Sequence, residues 1–294
     1  MNRLPIEIKL IILNLLDFKS QIYLIFSSKL NQNLIQYWII RDQFVLNNKM
    51  LKLSYYDCFE NVRIGCLLNY YPKKLKYLTF PHWFNLVIKD LPSSITHLTF
   101  GEYFDKSIKD CIPQSITHLE FGKKFDQPID NCIPSSVTHL IFGDNFNQSI
   151  KECIPSSVTH LTFGFHFNQP IDDCIPSSVT HLIFDYYFNQ PIDGCIPSSI
   201  THLTFGEKFN QSIKGCIPSS ITHLTFGNHF NQSIKGCIPS SVTHLIFGYF
   251  FNRSIKGCIP LSVKYLEFFE IFRKFKYEDV PMNVEKLIFP PKYY

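Results

Sequence analysis

Three residue types recur in this chain at a spacing that could carry chemistry. Histidine stands at His97, His118, His139, His160, His181, His202, His223 and His244. Cysteine recurs at Cys111, Cys132, Cys153, Cys174, Cys195, Cys216, Cys237 and Cys258, and Asn or Asp recurs from Asn85 and Asp105 to Asn252. An imidazole can bind a metal or move a proton near neutral pH, and a thiolate can bind zinc or attack a carbon. Both chemistries need groups that converge on one point. Here each type comes once per 21 residues, which strings it along an axis instead.

That spacing assigns each column a role. The His column is expected on an outward face, each ring about 5 Å from the next, with no carboxylate repeating beside it to complete a ligand set. The Cys column is expected to be a buried small hydrophobe. The Asn/Asp column is expected to bond the backbone of the next unit. The chain holds no Gly-rich phosphate loop, no Gly-x-Ser-x-Gly and no His-Glu-x-x-His. No catalytic residue, metal or cofactor is assigned, and the chain is read as a non-enzyme.

The element that positions these columns is a repeat. Each His is followed by Leu-x-Phe, and the Leu-x-Phe element continues as Leu78-Thr-Phe80 upstream and as Leu266-Glu-Phe268 and Leu287-Ile-Phe289 downstream, giving eleven copies. Alternation holds for about five residues, as in Ile95 to Phe100, so each unit predicts one short strand with Leu98 and Phe100 inward and His97 and Thr99 outward. Gly101 ends the strand, and Pro113 with Ser115 punctuates the return. Stacked strands make a parallel sheet, and Phe100, Phe104, Ile108, Cys111 and Ile112 repeat into interior columns that a single unit could not cover.

The string at Phe125-Asp-Gln-Pro-Ile129, Phe167 to Ile171 and Phe188 to Ile192 resembles the signature of FNIP repeats, which are related to leucine-rich repeats. The resemblance covers about residues 72–289. It breaks at the ends, where Phe272-Arg-Lys-Phe-Lys276 loses the Asn and Ile and the unit at Phe84 is one residue short, as capping units do.

Residues 1 to about 45 lack the repeat. Their apolar residues fall at helical spacing (Ile8, Ile11, Ile12, Leu15 and Leu16, then Ile22, Ile25, Phe26 and Leu30), which predicts three short helices with Pro5 in the first turn and Ser20 capping the second. The opening Leu4-Pro5-Ile6-Glu7-Ile8, with Ile12 and Leu16 following, resembles the start of an F-box, although the later Trp of that family has no clear counterpart. The resemblance implies that Leu4, Pro5, Glu7, Ile8, Ile12 and Leu16 meet a Skp1-type adaptor and, through it, a cullin. The alternative is that these helices only cap the solenoid. The expected class is therefore α+β: a small N-terminal helical F-box-like domain over 1–45, a linker or degenerate capping repeat over 46–71, and a leucine-rich-repeat-like solenoid of 21-residue units over 72–294, with a parallel β-sheet on one face.

Charge and targeting narrow the partners. The net charge of +4 is dispersed, with no basic run longer than two residues, so nucleic acid is not expected. No apolar run reaches a membrane span, and Glu7 and Lys9 interrupt the stretch a signal peptide would leave uncharged, so an intracellular, cytoplasmic protein is expected. The resemblances together imply a substrate-recognition subunit of a Skp1-cullin-F-box ubiquitin ligase, with a stand-alone protein-binding scaffold as the alternative. The target face is read from the positions that vary between units: Ile141 and Ile183 after the strand Leu, and Tyr186, Tyr187, Tyr249 and Phe250 after the Gly position.

Overall fold

The computed structural model describes residue 20 and residues 44–46, 56–64, 71–270 and 276–289. Among the described residues thirteen strands follow one another in chain order and pair in the same order, all parallel, in one sheet. They are β1 (Phe44–Leu46), β2 (Asn61–Ile64), β3 (Tyr77–Thr79), β4 (His97–Thr99), β5 (His118–Glu120), β6 (His139–Ile141), β7 (His160–Thr162), β8 (His181–Ile183), β9 (His202–Thr204), β10 (His223–Thr225), β11 (His244–Phe247), β12 (Tyr265–Phe268) and β13 (Lys286–Ile288). Two 3-10 turns, Tyr56–Cys58 and Tyr277–Asp279, complete the described elements. Twelve steps of about 4.8 Å make the sheet about 58 Å long.

Register follows the repeat. His97 pairs with His118 and Leu98 with Leu119, and the same one-to-one alignment runs through β11. The strands are short because the pleat turns only Leu98 and Phe100 inward before Gly101 closes the strand. A Cβ placed on the glycine at this point would lie about where the previous coil's carbonyl already sits: at Gly206 it would fall 1.7 Å from the Asp185 oxygen. Glycine there lets consecutive coils approach.

The core is a set of columns. Phe100, Phe121, Phe142 and Phe163 stack at 5.5 to 5.6 Å, Phe104, Phe125, Phe146 and Phe167 at 6.0 to 6.2 Å, and within one coil Phe163 and Phe167 lie 3.9 Å apart. Each ring is covered above and below by its own copies, so burial of roughly 1.5–3 kcal/mol per ring is realised only in the stack. The polar columns close it. Asn168 N–H donates to Asn147 Oδ1 at 2.9 Å and Gln169 Nε2 adds a second bond to the same oxygen, a ladder that begins at Asn85 and ends at Asn252. Ser157 donates to the Val137 carbonyl at 2.6 Å in a parallel column.

The α+β class is overturned. The described residues form a parallel β-solenoid with no α-helical element, Ser20 alone being helical within a segment not otherwise described. Most of the three expected helices lie outside the described residues. Inside residues 1–45 the described part includes β1, whose Phe44 and Val45 pair with Val62 and Arg63 of β2. A three-residue apolar run carries no period of its own, so the sequence does not distinguish this strand from the helical spacing upstream. Each of the eleven Leu-x-Phe copies places its Leu on a strand, β3 to β13, with the Phe at or just past the strand end, and two further strands precede them among the described residues.

Candidate interaction surface

The His column forms a ladder on the outward side of the sheet. Adjacent rings from His97 to His244 stack with centroids 4.0 to 4.2 Å apart and planes 11 to 14° apart, closer than the strand spacing because the rings lean together. Tyr77 continues the ladder beyond His97 and Tyr265 continues it beyond His244.

The preceding Thr fixes each imidazole. Thr180 Oγ1 donates to the Thr159 carbonyl one coil back at 3.1 Å and lies 2.9 Å from His181 Nδ1. Its one proton is committed to the carbonyl, so the hydroxyl accepts from Nδ1–H and Nε2 keeps a lone pair. These lone pairs point the same way from parallel rings and do not converge on one ion. Among the described residues no group of three or more His, Cys, Asp or Glu is placed to hold a metal. Partial burial holds His181 and His202 below the ordinary imidazole value, with neighbouring imidazoles adding to the effect.

The Cys column lies beneath the turn that precedes it, buried from Cys132 to Cys237 and half-buried at its ends, Cys111 and Cys258. Cys195 Sγ donates to the Asp193 carbonyl at 3.3 Å and to Asp172 Oδ1 at 3.6 Å. Burial pushes the Cys153, Cys195 and Cys216 thiols up to about 11, with Asp130, Asp172 and Asp193 respectively reinforcing the shift. A thiol held protonated is a poor nucleophile and a poor zinc ligand.

The varying positions gather at one edge of the strand face. Ile141 and Ile183 are each 41% exposed, Tyr187 42%, Tyr249 45% and Phe250 46%, while Tyr186 is half-buried. Tyr186 stacks on Phe165 at 4.5 Å, Tyr187 stacks on His166 at 5.2 Å, and the Tyr186 and Tyr187 rings meet edge to face. Lys208 Nζ sits over the Tyr186 ring at 5.4 Å and donates to His229 Nε2 at 3.0 Å. His229 in turn meets Phe250 at 5.0 Å, and Phe250 meets Tyr249 edge to face. One continuous strip therefore runs from Phe165 to Tyr249 over five coils. Ile141 lies two coils before Ile183 and outside the ring contacts.

Phe165, Lys208 and His229 are the members that link the strip, and Lys208 had not been singled out. The signal was in the sequence: Asp185 stands where every other unit from Gly101 to Gly248 has Gly, directly before the Tyr186-Tyr187 pair. Asp185 Oδ1 accepts the Tyr186 N–H at 2.7 Å, and the Phe184–Phe205 spacing beneath it widens to 6.2 Å. The sequence reading also missed the residue before Cys. Asp110, Asn131, Glu152 and Asp173 share the left-handed region with Gly194, Gly215, Gly236 and Gly257. Leu4, Pro5, Glu7, Ile8, Ile12 and Leu16 lie outside the described residues. No helix among the described residues is long and apolar enough to cross a membrane.

Comparison with known proteins agrees with this architecture. The crystal structure of CroV588, described as a novel circular LRR protein, superposes with a TM-score of 0.73 at 41% sequence identity, covering 79% of this chain and 37% of that one. The chain thus spans little more than a third of that protein. No match was found among curated proteins. The FNIP Repeat family model matches residues 84–124, 125–166, 167–208, 209–250 and 230–270, which together cover more than half of the chain. By the repeat that builds both its core and its variable edge, this chain belongs to the FNIP-repeat family.

Proposed function

We propose that this chain is a protein-interaction scaffold that serves as the substrate-recognition subunit of a Skp1-cullin-F-box ubiquitin ligase. The scaffold part rests on one observation. Within an otherwise near-invariant solenoid, exposed and half-buried side chains of five successive coils join into one connected strip, Phe165 to Tyr249, with exposed Ile183 beside it. Rings held by stacking lose little freedom on binding, and a Lys seated on a Tyr face supplies a polar contact within an apolar surface.

The ligase part rests on the F-box resemblance of Leu4-Pro5-Ile6-Glu7-Ile8 with Ile12 and Leu16. In this reading those residues meet a Skp1-type adaptor, the adaptor brings a cullin, and the strip holds the protein to be modified in the cytoplasm. The test is co-expression of the full chain with a Skp1-type adaptor and a cullin, followed by affinity capture. Co-purification that is lost in a Leu4→Ala/Pro5→Ala variant and in Ile12→Asp is the expected result. Failure of the wild-type chain to retain the adaptor removes the ligase role and leaves a stand-alone protein-binding scaffold.

A further inference from the structure

Halfway round each coil from the strand, the chain turns between an inward Ile and the inward Cys. The turn closes with the Cys N–H donating to the Ile carbonyl, as in Cys216 N–H to Ile213 O at 3.2 Å, and its two central residues are exposed. These central residues form a second pair of columns, of mixed sign at Lys109-Asp110 and Lys151-Glu152 but segregated over the five coils from Asp172 to Lys256. The turns of Asp172-Asp173 and Asp193-Gly194 carry only carboxylates, and those of Lys214-Gly215, Lys235-Gly236 and Lys256-Gly257 carry only ammonium groups. Among the described residues none of these six charged side chains is in an ion pair. Because the coils are stacked in register, like charges sit about 5 Å from one another along each half. Such an arrangement costs the isolated chain self-repulsion, offset within one copy where the runs of like charge end, at Asp193 beside Lys214 and at Asp172 beside Lys151 one coil away.

We infer that this turn edge is a self-complementary interface that takes a second copy of this chain. A two-fold axis perpendicular to the solenoid and passing between the Asp193 and Lys214 coils reverses the coil order of the partner while keeping the same coil spacing. Asp193 then faces the partner's Lys214, and Asp172 with Asp173 faces the partner's Lys235, and each match occurs twice because the contact is isologous. One coil further out, Lys256 faces the partner's Lys151-Glu152 turn, which is neutral as a pair. Shifting the axis by half a coil sets Asp193 against its own copy, so the charge order selects one register. The glycines beside Lys214, Lys235 and Lys256 have nothing within 4 Å of an added Cβ, so the basic half presents open backbone that a partner can approach. The turn lies seven residues, a third of a coil, beyond the ring positions and on a separate edge, so pairing through it leaves the strip of both copies free.

An interface built from exposed charges is steered by, and sensitive to, ionic strength. Sedimentation velocity on the full chain should show a dimer at about 50 mM NaCl whose apparent dissociation constant rises at least about tenfold by about 500 mM NaCl. Lys214→Glu/Lys235→Glu and Asp172→Lys/Asp193→Lys should each be monomeric alone and should form a one-to-one heterodimer when mixed, since the swap restores both matches. Unchanged circular dichroism melts check that these exposed substitutions leave the fold intact, and Lys214→Gln/Lys235→Gln should weaken pairing in the same direction if the double Glu variant unfolds. A wild-type chain that stays monomeric at low salt, a dimer indifferent to salt or to both variants, or a mixture that fails to pair overturns the inference.

Discussion

His181 and His202 stack with ring centroids 4.2 Å apart and planes 12° apart, two of eight imidazoles in one unbroken ladder. Placing a proton on one makes it harder to place a proton on the next, and partial burial already disfavours the charged form. The values of His97, His118, His139, His181, His202 and His223 are held below the usual 6.5. The unfolded chain takes up protons as pH falls through that usual value, and the folded ladder takes them up only at lower pH. Its contribution is therefore full above about pH 6.5, falls as pH drops below it, and stops falling once the folded values are passed. The melting temperature should decline between about pH 7 and about pH 5, and less steeply in a His181→Gln/His202→Gln variant. An equal decline in both proteins contradicts the ladder as its source.

The phenylalanine columns predict a position-dependent loss. Phe163 is fully buried and stacked on both sides, by Phe142 and Phe184. Phe163→Ala should destabilise by about 3–5 kcal/mol, because two covered neighbours hold the cavity open. Phe289 is half-buried at the C-terminal strand, where solvent can enter the space, and Phe289→Ala should cost much less. Urea titration of both variants makes the comparison, and equal losses contradict a one-dimensional core.

The left-handed turn position makes a prediction of opposite sign. Glu152 sits at φ +60°, where its equivalent Gly236 sits at φ +67°. A side chain there costs about 1–2 kcal/mol, of which the greater unfolded freedom of Gly offsets about 0.5–1 kcal/mol. Glu152→Gly should raise stability by about 0.5–1 kcal/mol and Gly236→Glu should lower it by a similar amount. Urea midpoints that move in neither protein contradict the assignment.

How much of this was legible in the sequence depends on whether a side chain or a backbone conformation recorded it. Leu98, Phe100 and Phe104 announce inward columns because burial demands apolar residues at every copy, and the register of His97 on His118 follows from their common period. The strands β1 and β2 escape that logic. Phe44 pairs with Val62 and Asn61 with Tyr77 at separations of 18 and 16 residues, so neither step shows the 21-residue period. Asp110, Glu152 and Gly215 share only a positive φ, which no common side chain reports. The variable edge was found through Tyr186 and Tyr187, but the strip needs Lys208, whose role depends on its reaching the ring one coil back.

The claim that the strip is the target-binding surface is tested most directly by quantitative affinity capture with the wild-type chain and an Ile183→Glu/Tyr186→Asp/Tyr187→Asp variant. All three side chains lie at the edge of the strand face, with Ile183 and Tyr187 exposed and Tyr186 half-buried, so the variant should stay folded while losing about 1–3 kcal/mol with the Phe165 and His166 ring contacts, which a circular dichroism melt checks. The account predicts that the proteins retained by the wild-type chain are lost from the variant, while an adaptor bound through Leu4, Pro5 and Ile12 is retained by both. Undiminished retention of the same proteins by a folded variant would place the binding surface elsewhere on the solenoid and contradict the account.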